Sequence, residues 1–346
     1  MNPTISVLFR AIPLVMAVIC IAFGLYVLNS GDAADNTVAG RVLISLAAIC
    51  FALFTTAATI IRQLIHNYPP IWHVVLPAAG YLAASVAVIG GIVIISGPTV
   101  PDQVSGHVVI GVGLIAGCVS TVATASVKFS LIKAAEALPV GGGPPTGAYS
   151  RGLGALLITV PAVLAAIGFV ICATLFRNGG PAGFIAGHVV FGLSVICAAL
   201  IALVASIVRQ VRNEFSDGER YAWSWFVAAM GTLNLLLGLW VLFSSQDPAR
   251  LAPGVVLIGL GLICFSILSK VLLLALVWRQ TFALANRIPL IPVGTALACL
   301  FFAAFLFVAT VAHPGFFVGA HVLVGLGAVC FTLFSIVSIL EAGTSK

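Results

Sequence analysis

The stretch "AGHVVFGLSVIC", residues 186–197, recurs in similar form four more times along the chain. The related stretches are "AGRVLISLAAIC" (39–50), "SGHVVIGVGLIA" (105–116), "PGVVLIGLGLIC" (253–264) and "GAHVLVGLGAVC" (319–330). We call each one a repeat segment and number its positions from the small residue at position 0, which is Gly40, Gly106, Gly187, Gly254 and Ala320. Each repeat segment opens a long apolar run, so the same element begins five times.

Apolar runs of this kind fill the whole chain of 346 residues, of which 62% are hydrophobic and only 7% charged. Soluble domains carry about 25% charged residues, and about 20 apolar residues cross a bilayer as a helix. The predicted spans are 11–29, 40–61, 73–96, 107–127, 153–176, 187–208, 224–244, 253–277, 290–312 and 319–340. The sequence therefore predicts an all-α polytopic membrane protein with ten transmembrane helices, and we expect the first span to be retained rather than cleaved as a signal peptide.

The repeat segments divide the chain into five tandem helical hairpins within a single transmembrane domain. The predicted repeats cover approximately residues 9–65, 70–133, 152–212, 221–281 and 286–342. Prolines near the predicted start of the first helix mark four of the hairpins (Pro13, Pro77, Pro161 and Pro292). Hairpins of one orientation are related by an axis along the membrane normal, so the pattern favours a pseudo-fivefold bundle.

Basic residues predict the orientation of the chain in the membrane. Twelve of them fall on one side: Arg10, Arg62, Lys128, Lys133, Arg151, Arg209, Arg212, Arg220, Lys270, Arg279, Arg287 and Lys346. Only Arg41, Arg177 and Arg250 fall on the other. By the positive-inside rule both termini are expected in the cytoplasm. The net charge of +6 then reflects topology, and no nucleic-acid partner is expected.

Positions 0 and 7 of the repeat segment lie on one helix face and hold small residues in every unit. Small residues spaced in this way allow a neighbouring membrane helix to approach closely, so this face is predicted to be a packing seam. The eight cysteines all fall inside predicted spans without CxxC spacing, which predicts buried packing residues rather than disulfides or a metal site.

Positions 1 and 5 form a second, more polar face. From this face and one charged residue of the eighth span we predict a pathway lining that consists of Arg41, Ser45, Gly111, Gly192, Gly259, Gly325 and Lys270. Lys270 lies at position 16, inside the apolar run, and an ionisable residue at that depth marks a functional site by default. The alternative is a structural lysine that snorkels or bonds to backbone carbonyls.

Histidine occupies position 1 in three units, at the predicted outer boundary of the membrane. We predict that His107, His188, His321 and the loop residue His313 form an outward-facing, pH-sensing group. An ordinary histidine changes charge near pH 6.5, so several would become positive together as the outside acidifies. The alternative is a structural role, in which each ring bonds loop carbonyls at a helix entrance.

Several chemistries have no support in the sequence. The nine acidic residues fall in loops or at span ends, which argues against a proton antiporter with a buried carboxylate. P-loop, HExxH and GxSxG signatures are absent, so no enzyme activity, cofactor or metal is expected.

The chain also resembles a known family. "RVLISLAAICFALFTTA" (41–57), "ARLAPGVVLIGLGLICFSILSKVLLLALVWR" (249–279), "LANRIPLIPV" (284–293) and "VLVGLGAVCFTLFSIVSILEAG" (322–343) are similar to the YhiM family of enterobacterial inner-membrane proteins, along essentially the whole chain. The resemblance implies a polytopic inner-membrane protein associated with acid resistance. It implies no functional residues.

Two functions are compatible with these features. The first is an acid-gated channel or facilitator for a small solute, with anions or neutral solutes favoured over cations because the spans hold a base and no acid. The second is a membrane pH sensor or structural protein that transports nothing. An open path along positions 1 and 5 favours the first function, and a closed, dry axis favours the second.

Overall fold

The computed structural model of the protein describes residues 3–31, 33–64, 68–129, 148–178, 180–244, 248–279 and 287–344. Ten helices within these ranges are long and apolar enough to cross a membrane, as predicted. They are α1 (Pro3–Asn29), α2 (Ala34–Leu64), α3 (Trp72–Ile95), α4 (Val100–Ser126), α5 (Arg151–Asn178), α6 (Gly180–Val211), α7 (Asp217–Phe243), α8 (Leu251–Arg279), α9 (Leu290–Ala309) and α10 (Phe317–Thr344). Lys133, Lys346 and the predicted repeat ends at 65, 133, 281 and 286 lie outside the described residues.

Two of the helices that begin well before the predicted spans have capping residues that precede the apolar run. At the start of α4 the Thr99 side chain accepts a hydrogen bond from the backbone N–H of Asp102, whose carboxylate accepts one from the backbone of Thr99. Ser216 and Glu219 form the same reciprocal pair at the start of α7. Such capping boxes satisfy backbone donors that a helix start leaves free, so they fix the first turn outside the hydrophobic window.

The prolines of the odd-numbered helices lie deeper than predicted. Pro13 and Pro161 lie inside α1 and α5, well beyond the first turn, and α1 begins well upstream of its apolar run. A proline in a helix interior leaves one carbonyl without its intrahelical donor, which membrane helices tolerate when neighbouring groups compensate. Both prolines nevertheless lie in the half of the helix nearer its start.

The even-numbered helices form the core of the molecule, and the odd-numbered helices surround it. In the most apolar window of each even-numbered helix, 67–89% of residues are buried, against 22–33% in each odd-numbered helix. We call the two sets core helices and peripheral helices. Core helices contact one another in the closed order α2, α4, α6, α8, α10 and back to α2. The symmetry of the five hairpins stays a prediction.

Each peripheral helix packs against the core helix of its own hairpin and against the preceding core helix. The predicted packing seam joins the two helices of a hairpin. A Cβ on Gly106 would lie 2.9 Å from the carbonyl oxygen of Gly91, and one on Gly40 would lie 2.8 Å from that of Gly24. Such short distances mean that the backbones touch, so the seam is confirmed for these two hairpins. The eight cysteines are free and buried.

Candidate functional site on the axis of the helix ring

All five core helices contribute to a cavity on the axis of the ring. Its lining consists of sixteen leucine, isoleucine and valine side chains together with Lys270, and its volume is about 20 Å³. We call this the first axial cavity. A space of that size holds about one water molecule, and its apolar lining offers that water few partners. The axis is therefore closed and apolar at this level.

A second axial cavity lies toward the C-terminal ends of the core helices and again involves all five of them. It has a similar volume of about 20 Å³ and is less uniformly apolar, because Thr56 and Ser126 contribute to its lining. Val122, Leu203 and Lys270 line both cavities. These shared residues form the boundary between the two spaces.

Lys270 is the one ionisable residue among the described residues that line either cavity. Its side chain is only 2% exposed, and no described residue forms a hydrogen bond or an ion pair with it. The alternative interpretation, in which the ammonium group bonds to backbone carbonyls, is thus not observed in the described part of the chain. Lys270 is thus an ionisable side chain on the axis of the ring without a partner among the described residues.

Four leucines at position 6 of the repeat segment close the first axial cavity. We call Leu46, Leu193, Leu260 and Leu326 the leucine layer. Each of them also covers the position 5 glycine of the preceding core helix. A Cβ on Gly325 would lie 2.5 Å from the Cδ1 atom of Leu46, and a Cβ on Gly259 would lie 2.5 Å from the Cδ1 atom of Leu326. Gly111 lies in the same way under Leu193, and Gly192 under Leu260.

The glycines predicted to line a pathway therefore lie in the interfaces between core helices, and the axis is lined by positions 6, 9, 13 and 16. On a helical wheel this axial stripe is turned by about 80° from the predicted face at positions 1 and 5. Ser45 also lies off the axis, where it is buried and donates to the carbonyl of Val42 at 2.7 Å. Of the predicted lining residues, Lys270 is the one that lines the cavities.

Arg41 was predicted to line this pathway, and the structure shows it in an ion pair between two core helices. Its guanidinium donates to the carboxylate of Asp102 at 2.6 Å and to the hydroxyl of Ser105 at 3.2 Å. Because Asp102 belongs to the capping box of α4, this ion pair joins the beginnings of α2 and α4. Sequence reasoning assigned Asp102 to a loop and so missed the pair.

The three histidines of the repeat segment adopt one local geometry. The Nδ1 atoms of His107, His188 and His321 lie 2.6–2.8 Å from the carbonyl oxygen four residues earlier in the same helix. These partners are helix carbonyls rather than the loop carbonyls of the structural alternative. A hydrogen bond at this position fixes the ring beside its own helix turn.

Two of these histidines pack among phenylalanine rings of peripheral helices. The ring of His188 lies 4.9 Å from that of Phe176, and the ring of His321 lies 4.8 Å from that of Phe307 and 5.6 Å from that of Phe23. His313 is exposed and contacts Phe316 instead. Within the described residues no two of the four predicted histidines contact each other, so they do not form one group, and only His188 and His321 are seen at the boundary between core and peripheral helices.

Comparison with known proteins places the chain among membrane proteins of one family. The family described as "Protein of unknown function (DUF2776)" matches residues 1–345. The chain is similar to "Inner membrane protein YhiM" of Escherichia coli (strain K12), with 52% identity over 349 residues and the whole of both chains covered. No solved structure matches. Together with the ten apolar helices, these findings identify a multi-pass protein of the inner membrane.

Proposed function

Because the chain belongs to the DUF2776 family and has an inner-membrane relative along its whole length, we propose that it is a gated channel or facilitator for a small anion or neutral solute. The proposed path is the axis of the core-helix ring, and the proposed role is survival at low external pH. The observation that carries the proposal is Lys270, a buried ionisable side chain that lines both cavities on that axis.

The free-energy cost of burying Lys270 inside a membrane helix supports a functional role for this residue. A lysine at the centre of a membrane helix costs about 2.5–3.5 kcal/mol on insertion scales. Hydrogen bonds or an ion pair offset such a cost, and Lys270 has neither among the described residues. A bundle that only filled the membrane would gain nothing from this residue. A positive charge on the axis of a solute path selects anions and repels cations.

The leucine layer supplies a gate for such a path. Its four side chains are at most 2% exposed, and they close an axis that has room for about one water molecule. Rings of apolar side chains stop ion flow by excluding water, and they conduct once the ring widens and fills with water. The structure corresponds to the closed state of the proposed channel.

The predicted trigger of opening is acid at the outer face. His188 and His321 lie between core and peripheral helices, so a positive charge on these rings would disturb the packing of two helix layers. Histidine changes charge over the pH range of acid exposure, and such a change biases helix arrangements that have two packed states. The resemblance to acid-resistance proteins supports the same trigger.

A second function is favoured by one observation, the closed and apolar axis. A membrane pH sensor or a structural membrane protein needs no water-filled path, and the leucine layer leaves none. This function leaves the buried cation without a role. Measurement of solute flux separates the two functions.

The test uses the full-length protein in liposomes at an external pH of about 7 and about 4, with anion efflux and proton flux recorded. We expect anion efflux above that of empty liposomes at the acidic pH and little at neutral pH. Flux equal to that of empty liposomes at both values would exclude the channel and leave the non-transporting function.

Replacement of His107, His188 and His321 together by Gln tests the trigger in the same assay. Glutamine keeps a polar side chain at each site but cannot gain a charge, so we expect the difference between neutral and acidic flux to disappear. His73→Gln is the matched control, because this exposed histidine lies at the other end of a peripheral helix. An unchanged acid response in the triple variant would remove the histidines as the trigger.

A further inference from the structure

Lys270 carries an inference about the ligand of the axial site. A buried ammonium group can be stabilised by a bound anion when the protein offers no partner, and such binding is strongest where water is excluded. Lys270 meets both conditions, because it is 2% exposed and has no hydrogen bond or ion pair with any described residue. Among the described residues that line the two axial cavities there is no carboxylate that would compete with an anion.

The two sides of Lys270 differ in their chemistry. The first axial cavity offers only hydrocarbon around the ammonium group. The second axial cavity adds the hydroxyl groups of Thr56 and Ser126 from two adjacent core helices. Thr56 donates to the carbonyl of Ala52 at 3.1 Å and has a long contact of 3.5 Å to that of Val119, while Ser126 donates to Val122 at 2.8 Å. Hydroxyl groups rotate, so both can turn their hydrogens toward an anion.

We propose that Lys270, Thr56 and Ser126 bind a single small monovalent anion, such as chloride, in the second axial cavity. This site rests on the proposed function, because it gives the anion path a resting position beyond the first axial cavity, toward the C-terminal ends of the core helices. The volume of about 20 Å³ admits one particle of about the size of a water molecule, which favours a halide over phosphate or sulfate. A binding position of this kind is required of a selective path, since an ion must be held before it is passed on.

The experiment measures chloride binding directly, without transport. The full-length protein in nanodiscs is titrated with sodium chloride against sodium gluconate at constant ionic strength, and the chloride NMR line width and the thermal unfolding temperature are recorded. We expect a saturable chloride effect on the line width, an unfolding temperature that keeps rising with chloride concentration, and neither effect from gluconate, which is too large for the cavity. A ligand that binds only the folded state adds a free energy of unfolding that grows with the logarithm of its concentration above Kd.

Lys270→Met removes the ammonium group while it keeps a side chain of similar length. We expect chloride affinity to fall by about 30-fold or more, as for the loss of one member of a buried charge pair. Lys128→Met is the matched control, because Lys128 lies over the ring of Tyr149 at the end of α4 and lines neither cavity. Thr56→Val keeps the size of the side chain, removes one hydroxyl group and should weaken chloride binding severalfold.

The outcomes separate this site from the channel itself. Chloride binding that is lost in Lys270→Met, in a protein that passes no anion in liposomes, leaves the site standing and overturns the channel. Equal chloride affinity in the wild type, Lys270→Met and Thr56→Val overturns the site, even if anions flow. If Lys270→Met does not fold, Thr56→Val alone decides, and unchanged affinity in that variant counts against the site.

Discussion

Some buried polar residues of the core helices form hydrogen bonds within their own helix, and others form hydrogen bonds to a neighbouring core helix. Ser120, Thr121 and Ser206 each donate to the carbonyl four residues earlier, so burial costs them little. Gln63 reaches from α2 to the last carbonyls of α4 at 2.6–2.7 Å, and Gln210 reaches from α6 to Leu274 of α8 at 3.1 Å. Lys270 does neither, which is the reason for placing the functional site there.

Glu214 lies outside the membrane spans, where it has a buried ion-pair partner and a shifted pKa. Arg212, at the end of α6, donates to the Glu214 carboxylate at 2.7 Å and to the carbonyl of Tyr149. The hydrogen bond from Arg212 is the main cause that lowers the pKa of Glu214. A carboxyl with a lowered folded pKa stabilises the protein above its unfolded pKa, and that contribution is lost as the pH falls through the folded value.

We therefore predict that Glu214→Gln lowers the thermal unfolding temperature at neutral pH and has less effect as the pH falls below about 4.3, the ordinary pKa of glutamate. Thermal unfolding in detergent from neutral to strongly acidic pH measures the difference. The same substitution in an Arg212→Gln background is the control, since the charged partner is gone. A difference between Glu214→Gln and the wild type that does not change with pH would contradict the assignment.

Helix pairs are held together by glycines at which two backbones meet. In α3, Gly91 and Gly90 are neighbours in sequence with opposite surroundings. A Cβ on Gly91 would lie 2.7 Å from the carbonyl oxygen of Gly106 and 2.8 Å from the backbone nitrogen of Ile110, whereas one on Gly90 meets nothing within 4 Å. Backbone atoms cannot move aside as a flexible side chain can, so the two positions should respond differently to the same methyl group.

We predict that Gly91→Ala destabilises the protein by about 1–3 kcal/mol, the usual cost of overpacking. Gly90→Ala is the matched control, and it should be neutral or stabilising by up to about 1 kcal/mol, because alanine restricts the unfolded chain and is a better helix former. Thermal or denaturant unfolding in the same detergent compares both variants with the wild type. Equal effects of the two substitutions would show that the α3–α4 contact is looser than described.

At the scale of the whole molecule, the five core helices form a ring. The last of them, α10, contacts the first, α2, and so closes it. Closure brings Leu46 of α2 over Gly325 of α10, the same contact that Leu326 makes with Gly259 one helix earlier. Because each leucine both covers a glycine and faces the axis, packing of the ring and closure of the axis depend on the same side chains. A change in the helix arrangement therefore changes both at once.

This dependence predicts what happens when polar side chains replace members of the leucine layer. Leu260→Ser combined with Leu326→Ser should raise anion efflux from liposomes at neutral pH severalfold over the wild type, because shorter, hydrated side chains no longer exclude water from the axis. Leu82→Ser is the control, since Leu82 lies on the outside of α3 with 66% of its surface exposed. Efflux that stays at the wild-type level in the double variant would contradict a gate at the leucine layer.

The ten spans were predictable from the sequence because membrane insertion is a local property. About 20 apolar residues must form a helix in hydrocarbon, where no water satisfies the backbone, whatever the neighbouring helices do. The small residues at positions 0 and 7, among them Gly106, were predictable for a related reason: only small side chains let two backbones touch. The depth of Lys270 in its span likewise followed from its place in the chain.

Which face of each core helix meets the axis was decided by the tertiary structure. These helices are apolar nearly all round, so periodicity does not orient them, and rotation is set by packing against neighbours. Gly259 and Lys270 are only about 20° apart on a helical wheel, yet Gly259 lies under Leu326 while Lys270 lines the axis. The partners of Arg41 and His188 also come from other helices, across distances in sequence that no local pattern encodes.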